Sequence, residues 1–350
     1  MLRSRYFGLG SVVFLLACSP TQELAASSGE MPVEPGNGVG GLADQLPSQE
    51  QHLNDSSAGQ YSDTTQPNMA SPDEQDMGAP PGLPVTEEQL GIDDYRTEGR
   101  VLLDADFEGQ ATGPYTEAQV VEDFSNAPPW NDGLDEGRAQ VVRLEKTQVL
   151  RVDYPGQEFG ASAAGVQFKV PFGQSYEELY LAYRVRFSEG FEWVKGGKLP
   201  GLVGGSAPTG CNNDEDGFSA RMMWRAQGAA VQYVYFPEKE SNCGDDFPYA
   251  LKDAPAQFQT NTWHRVQHHL KMNTPGESDG VLEAWFDGEL AYQTQELLYR
   301  RANASFAIDT LYFSTFYGGG DSSWAPDAPT FVEFDNFIVA TEPIELPQRD

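Results

Sequence analysis

The sequence predicts an all-β fold: a two-sheet jelly-roll β-sandwich preceded by a disordered N-terminal tether. Three observations predict it. From Arg100 onward, short runs with alternating apolar and polar residues follow one another, the period of a strand with one buried face. Turn pairs such as Pro155-Gly156, Pro275-Gly276 and Asp287-Gly288 separate them. Long stretches at helical period are absent, so nothing competes with the strands for the core.

Residues 1–18 read as an export signal. Arg3 and Arg5 charge its start, Phe7–Leu16 is mostly apolar, and Leu15-Leu16-Ala17-Cys18 ends it. The apolar run is too short for a permanent membrane span. A Cys after Leu-Leu-Ala resembles the lipobox of bacterial lipoproteins, which implies acylation at Cys18; Ser19 in the next position favours sorting to the outer membrane. Residues 19–97 are rich in Ser, Gly, Pro, Gln and acidic residues and poor in aromatic and β-branched ones. Such a segment cannot bury enough apolar surface to offset its ordering entropy.

Residues 98–345 form one domain. Val101–Glu108 reads as the first strand. Further runs lie at Ala139–Leu144, Val149–Tyr154, Ala164–Val170, Glu178–Phe187, Phe218–Trp224, Val231–Phe236, Trp263–Met272, Gly280–Phe286, Ala291–Glu296, Ile308–Phe316 and Thr330–Val339. The first and last of these are expected to lie together where the sandwich closes.

The net charge is −31. No basic footprint exists for a nucleic-acid partner, and an acidic surface does not steer an anionic polymer from a distance. Positive charge that meets an anionic substrate must therefore be local.

One hairpin supplies such charge. Phe218–Arg225 and Val231–Phe236 flank the connector Ala226-Gln227-Gly228, a length suited to a hairpin with a left-handed residue. With that loop Arg225 pairs with Ala229, Arg221 falls opposite Tyr233, and Ser219 falls opposite Tyr235. Alternation puts Ser219, Arg221, Met223 and Arg225 on one face with Tyr233 and Tyr235, and turns Phe218, Ala220, Met222 and Trp224 toward the core. A cation beside two phenols suits proton abstraction next to a carboxylate. The cation stabilises the developing enolate, and a phenol whose pKa is depressed by it can pass the proton. The same pattern also fits a sheet face carrying Arg–Tyr stacking pairs. Upstream, Lys195-Gly196-Gly197-Lys198-Leu199-Pro200-Gly201 reads as a glycine-rich cationic loop without the spacing of a phosphate loop.

Together these residues resemble the polysaccharide lyase 14 family of alginate and glucuronan lyases. The resemblance rests on K-G-G-K-L-P-G-L-x-G-G, then F-S-A-R-M-M-W-R and Y-V-Y. It extends to Trp263-His264-Arg265-Val266, Met272–Gly276, Tyr317–Pro326 and Phe334-Asp335-Asn336-Phe337. It covers roughly residues 178–340. It implies a jelly roll with a cleft on one sheet, and β-elimination of a uronate polymer that leaves an unsaturated sugar. It implies that Lys198 contacts the substrate carboxylate, that Ser219 and Arg221 hold the substrate, and that Tyr233 and Tyr235 form the acid/base pair, Tyr235 leading. Lys195, Arg225, Tyr317 and Trp324 are expected to bind substrate, and Tyr312 to stack on a sugar ring.

Other features fall around this centre. Cys211 and Cys243 are expected to form a disulfide in an oxidising compartment, fastening the polar insert Ser206–Gly217 to the loop after Tyr235. His264, His268 and His269 are too few for a metal site, although His269 could line the cleft. Asp106, Glu108 and Asp335 could hold a structural Ca2+; no cofactor is required for the reaction. Two other readings stand beside the lyase. One is a carbohydrate-binding module on the same sandwich. The other is a jelly-roll glycoside hydrolase, which needs a carboxylate pair; Glu333 and Asp335 share a face but sit on the terminal strand. The expected partners are an anionic polysaccharide and, through Cys18, a membrane; the domain is expected to be a monomer in the cell envelope.

Overall fold

A computed structural model describes residues 97–345. The export signal, Cys18 and all but the last residue of the expected tether lie outside them. In chain order the elements begin with β1 (Val101–Ala105), β2 (Gly113–Pro114), helix α1 (Glu117–Phe124), β3 (Asn131–Asp132), β4 (Ala139–Leu144) and β5 (Thr147–Tyr154). Then come β6 (Gly165–Tyr176), β7 (Glu178–Phe187), β8 (Gly196–Gly205), β9 (Gly217–Arg225), β10 (Ala230–Tyr235) and β11 (Asp245–Pro248). The chain continues through β12 (Ala250–Leu251), β13 (Ala254–Pro255), β14 (Trp263–Lys271), β15 (Gly280–Phe286), β16 (Glu289–Leu297), β17 (Ile308–Tyr317) and β18 (Thr330–Ala340).

Two antiparallel sheets build the sandwich. One has seven strands in the order β11-β10-β9-β8-β17-β6-β3. The other has nine, ordered β16-β15-β14-β7-β18-β5-β4-β2, with β1 on β18. The first and last strands do pair, Leu103 opposite Val339 and Ala105 opposite Phe337. A small β12-β13 ribbon stands apart.

Between the sheets lies one continuous apolar core rich in rings. Phe168 and Phe313 of neighbouring strands stack at 4.7 Å, and Tyr183 stacks on Phe337 from β18 at 4.8 Å. Such pairs add specific geometry to the burial of large apolar area. The hairpin's apolar side joins this core, with Phe218, Ala220, Met222 and Trp224 all fully buried. Its other side carries a separate small cluster of Met223, Val231, Tyr233 and Tyr235. The two faces are thus divided as the alternation requires.

Two local expectations change. The Lys195–Gly201 segment is not a loop: from Gly196 onward it is β8, paired with β9 on one side and β17 on the other. Its glycines serve close approach rather than turning. A Cβ on Gly197 would stand 2.1 Å from the Trp224 ring, and one on Gly201 would stand 2.2 Å from the Ala220 carbonyl oxygen. The second change is α1, which has no counterpart among the expected elements. It is eight residues long and buries only Val120 and Phe124, too short a stripe to declare a helical period. The Gln119 side chain accepts from the Thr116 backbone N–H at 2.9 Å and fixes its start.

Candidate active site

The β9–β10 hairpin sets the floor of the site. Arg225 N–H donates to the Ala229 carbonyl at 2.8 Å, and Arg221 lies opposite Tyr233 with Ser219 opposite Tyr235. Both Gln227 (φ 63°) and Gly228 (φ 78°) take left-handed backbone in the turn, where one was expected. Strand β8 then places Lys198 across from Met223 and beside Phe316 of β17. The result is a cleft of about 590 Å³ lined by Lys198, Arg221, Arg225, Tyr233, Tyr235, Tyr312, Trp324 and the glycines and small residues around them.

Lys198 is half-buried. Its Nζ lies 3.7 Å from the centre of the Tyr233 ring and 2.7 Å from Met223 Sδ. No carboxylate lies within ion-pair distance of it among the described residues. Loss of water disfavours the ammonium, and Arg221 and Arg225 repel it further. The lysine is therefore held well below its ordinary pKa. An amine so placed gives up its proton readily and can act as a base.

Arg221 is buried. Its Nη1 donates to Ser314 Oγ at 3.0 Å, and its Cζ lies 5.0 Å from the Tyr312 ring centre. Its Nε has no hydrogen-bond partner. Burial lowers the guanidinium's proton affinity, but arginine starts so high that it keeps its charge. A buried cation with an idle N–H and no carboxylate is costly, and an incoming anion relieves that cost.

The two phenols stand perpendicular, ring centres 5.5 Å apart at 88°. Each oxygen accepts a backbone N–H at 3.0 Å: Tyr233 from Gly244, Tyr235 from Cys211. Those donors belong to the two loops that the Cys211–Cys243 disulfide joins, so the bond expected from the sequence forms the roof of the phenol pair. Burial raises the Tyr233 pKa and its hydrogen bond to Tyr235 adds to this, against the opposing pull of the Gly244 N–H and Arg221. Tyr233 thus rests as a neutral phenol.

The remaining expected residues separate into wall, rim and interior. Arg225 and Trp324 line the cleft. Arg225 is clamped by Asp246 through bonds of 2.8 and 2.5 Å. Lys195 sits at the rim, exposed, bonded to Ser323 Oγ and 5.8 Å from the Trp324 ring. Ser219 lies below the cleft surface: it is fully buried and its hydroxyl donates to the Pro208 carbonyl at 2.8 Å, bracing the loop that carries Cys211. Tyr317 is also not a wall residue. It packs in the core at 5.4 Å from Trp224 and donates to the Glu192 carbonyl at 2.6 Å. Tyr317 joins Phe313 in the core, whereas Tyr312 and Phe316 of the same strand line the cleft.

Gln167 was missed by the sequence reading. It donates to Asp132 at 2.6 Å and accepts from Tyr312 at 2.6 Å. Its alternation with Val166 and Phe168 was a usable signal, but no motif marked it.

The histidines belong to the other sheet. His264 pairs with Asp287 at 2.9 Å, and His268 is buried in the core, its pKa pushed down to about 3 by burial. His269 lies between Glu283 and Glu178 at 2.8 and 2.9 Å, so it does not line the cleft. Of the Ca2+ candidates, Glu108 accepts from Gln148 N–H at 2.9 Å. Asp335 sits opposite Arg184 on β7, is buried, and has its pKa raised, mainly by that burial. Among the described residues no group of three or more His, Cys, Asp or Glu side chains is arranged to hold a metal ion. Glu333 is closed in by Arg151 at 2.7 Å and Arg186 at 2.7 Å. Neither Glu333 nor Asp335 reaches the cleft, which removes the carboxylate pair a glycoside hydrolase would need.

Comparison with known proteins adds the lineage. The family model described as polysaccharide lyase 14 matches residues 143–337. Exolysin of Paramecium bursaria Chlorella virus 1 is 25% identical over 236 residues, which cover 58% of this chain and 35% of the viral protein; the chain therefore spans about a third of that relative's length. Among solved structures, alginate lyase Aly36B superposes with a TM-score of 0.60 at 24% identity, covering 70% of this chain and 98% of the other. A marine PL-14 alginate lyase from Aplysia kurodai gives 0.58 at 24%, covering 69% and 99%. Alginate lyase vAL-1 from Chlorella virus gives 0.54 at 20%, covering 66% and 98%. At these identities the structures show a shared fold.

Proposed function

The chain belongs to the polysaccharide lyase 14 family, and on that premise we propose that it cleaves a uronate polymer of the alginate or glucuronan type by β-elimination. The observation that carries this is the pairing of a deprotonation-prone Lys198 with an uncompensated Arg221 beside two phenols. Arg221 is suited to the substrate carboxylate, where it stabilises the charge that builds as the neighbouring C5–H bond breaks. The C5 electrons form the C4=C5 double bond, the C4–O4 bond breaks, and the leaving oxygen takes up a proton. No water is consumed. The family resemblance gives Lys198 a charge-binding part, but its depressed pKa supports a base instead. Tyr233, resting protonated, is suited to donation, and the Tyr235 ring stands perpendicular beside it at 5.5 Å.

Alginate is the first substrate to try, because the solved structures sharing the fold are described as alginate lyases. Incubation with alginate and glucuronan should produce the ultraviolet absorbance of a conjugated unsaturated uronate in step with new reducing ends. Reducing ends without that absorbance would mean hydrolysis, and retention of polymer with neither would mean a binding module.

The resemblance of Leu15-Leu16-Ala17-Cys18 to a lipobox supports a further reading, in which the lyase is tethered to the cell envelope. Incorporation of labelled palmitate, abolished by Cys18→Ser, tests it.

A further inference from the structure

The cleft does not stop at Arg221. On β6, Gln167 lies opposite Ser314 and Lys169 opposite Tyr312, so both side chains share the face of the cleft while Val166, Phe168 and Val170 enter the core. Lys169 Nζ lies 5.2 Å from the centre of the Tyr312 ring. The same ring has Arg221 at 5.0 Å and meets Trp130 edge-on at 6.1 Å and 82°. Trp130 is 38% exposed, the one aromatic among the exposed large apolar residues of the described chain.

We propose that Lys169, Tyr312 and Trp130 form a second uronate subsite, in which Lys169 pairs with the carboxylate of a further sugar in the same polymer and Trp130 supplies a platform for its ring. The proposal rests on the lyase reading for the identity of the polymer.

Three observations support it. First, Lys169 is half-buried and makes no ion pair among the described residues. The nearby carboxylates bond to neutral donors and not to the lysine: Asp132 accepts from Gln167 at 2.6 Å, and Asp309 accepts from Gly205 N–H at 3.1 Å and from Thr310 at 2.7 Å. Second, burial and repulsion from Arg221 lower the lysine's pKa against the weaker opposing pull of Asp309; an anion between the two cations offsets their repulsion. Third, the opposite end of the cleft is already neutralised. There Arg225 is clamped by Asp246, and the adjoining groove carries Glu238, Glu240 and Asp245. Beyond Lys198 and Arg221, a polyanion that follows the sheet therefore meets further positive charge without an ion pair toward β6 rather than toward β11.

The test is a chain-length series. Saturated oligouronates of increasing length are titrated into Lys198→Ala protein, with and without Lys169→Met or Trp130→Ala, and kcat/KM is measured for the same lengths in the otherwise native enzyme. The subsite predicts that Lys169→Met loses about tenfold on chains long enough to reach it, the scale of one charged contact, and nothing on the shortest chain that is cleaved. Lys169→Arg should restore most of the loss. Equal losses at every length, or none at any length, would overturn the proposal. Binding is read without turnover, so a protein that binds in this pattern but yields no unsaturated product would contradict the lyase reading and leave the subsite standing.

Discussion

On the nine-stranded sheet, basic side chains are closed off by carboxylates. Arg151 and Arg186 meet on Glu333, and His269 is held between Glu178 and Glu283. On the cleft side of the seven-stranded sheet, Lys198, Arg221 and Lys169 have aromatic rings, a hydroxyl and a thioether for company instead. Both sheets bury charge, and burial is expensive on either. The first sheet offsets the cost within the fold. The second leaves it open, and an anionic ligand is the natural means of closing it. The difference explains how a strongly acidic chain can serve an anionic substrate: the charge that matters is local and desolvated, where screening by salt and by the distant surface is weak.

The largest expected effect comes from deleting the unpaired basic groups of the cleft. Lys198→Ala and Arg221→Ala should each lower kcat by about 10²–10³-fold, the range seen when a general base or a transition-state donor is lost. Thermal unfolding should hold or rise, because each deletion removes an uncompensated buried group. On the other sheet the signs reverse. Glu333→Ala strands Arg151 and Arg186 and should cost about 3–5 kcal/mol of stability in denaturant titrations. Product formation by the folded fraction should be unchanged. The smallest effect separates placement from motif. Ser219 carries a catalytic expectation from the family pattern, yet its hydroxyl holds Pro208. Ser219→Ala should cost about 1 kcal/mol of stability and change kcat by only a few-fold, through the loop that positions the donor to Tyr235. A loss as deep as that of Arg221→Ala would put Ser219 back in contact with substrate.

Much of this arrangement was legible in the sequence, for identifiable reasons. The hairpin register followed from the three-residue connector and strict alternation, and Arg221 opposite Tyr233 is what that arithmetic requires. The pairing of the first and last strands and the Cys211–Cys243 bond were also readable. Strand β8 was not, because glycines that admit Trp224 and the β9 backbone look the same in sequence as glycines that turn a chain. The inward turn of Tyr317 was hidden because the phase of β17 against the core depends on its partner strands. Gln167, Lys169 and Trp130 were invisible as a group, since only the pairing of β3, β6 and β17 brings them together. Most important, the sequence shows that Lys198 is a lysine but not that it is desolvated. That property belongs to the packing of Tyr233, Met223 and Arg221 around it.

The charge state of Lys198 can be observed directly. The lysine side chains can be labelled at Cε, the Lys198 signal assigned by its loss in Lys198→Arg, and its chemical shift followed across a pH titration. The Lys198 resonance should titrate well below the ordinary lysine value of 10.5, and kcat should rise with pH over the same interval as the base loses its proton. A Lys198 signal that titrates together with the surface lysines would contradict this expectation.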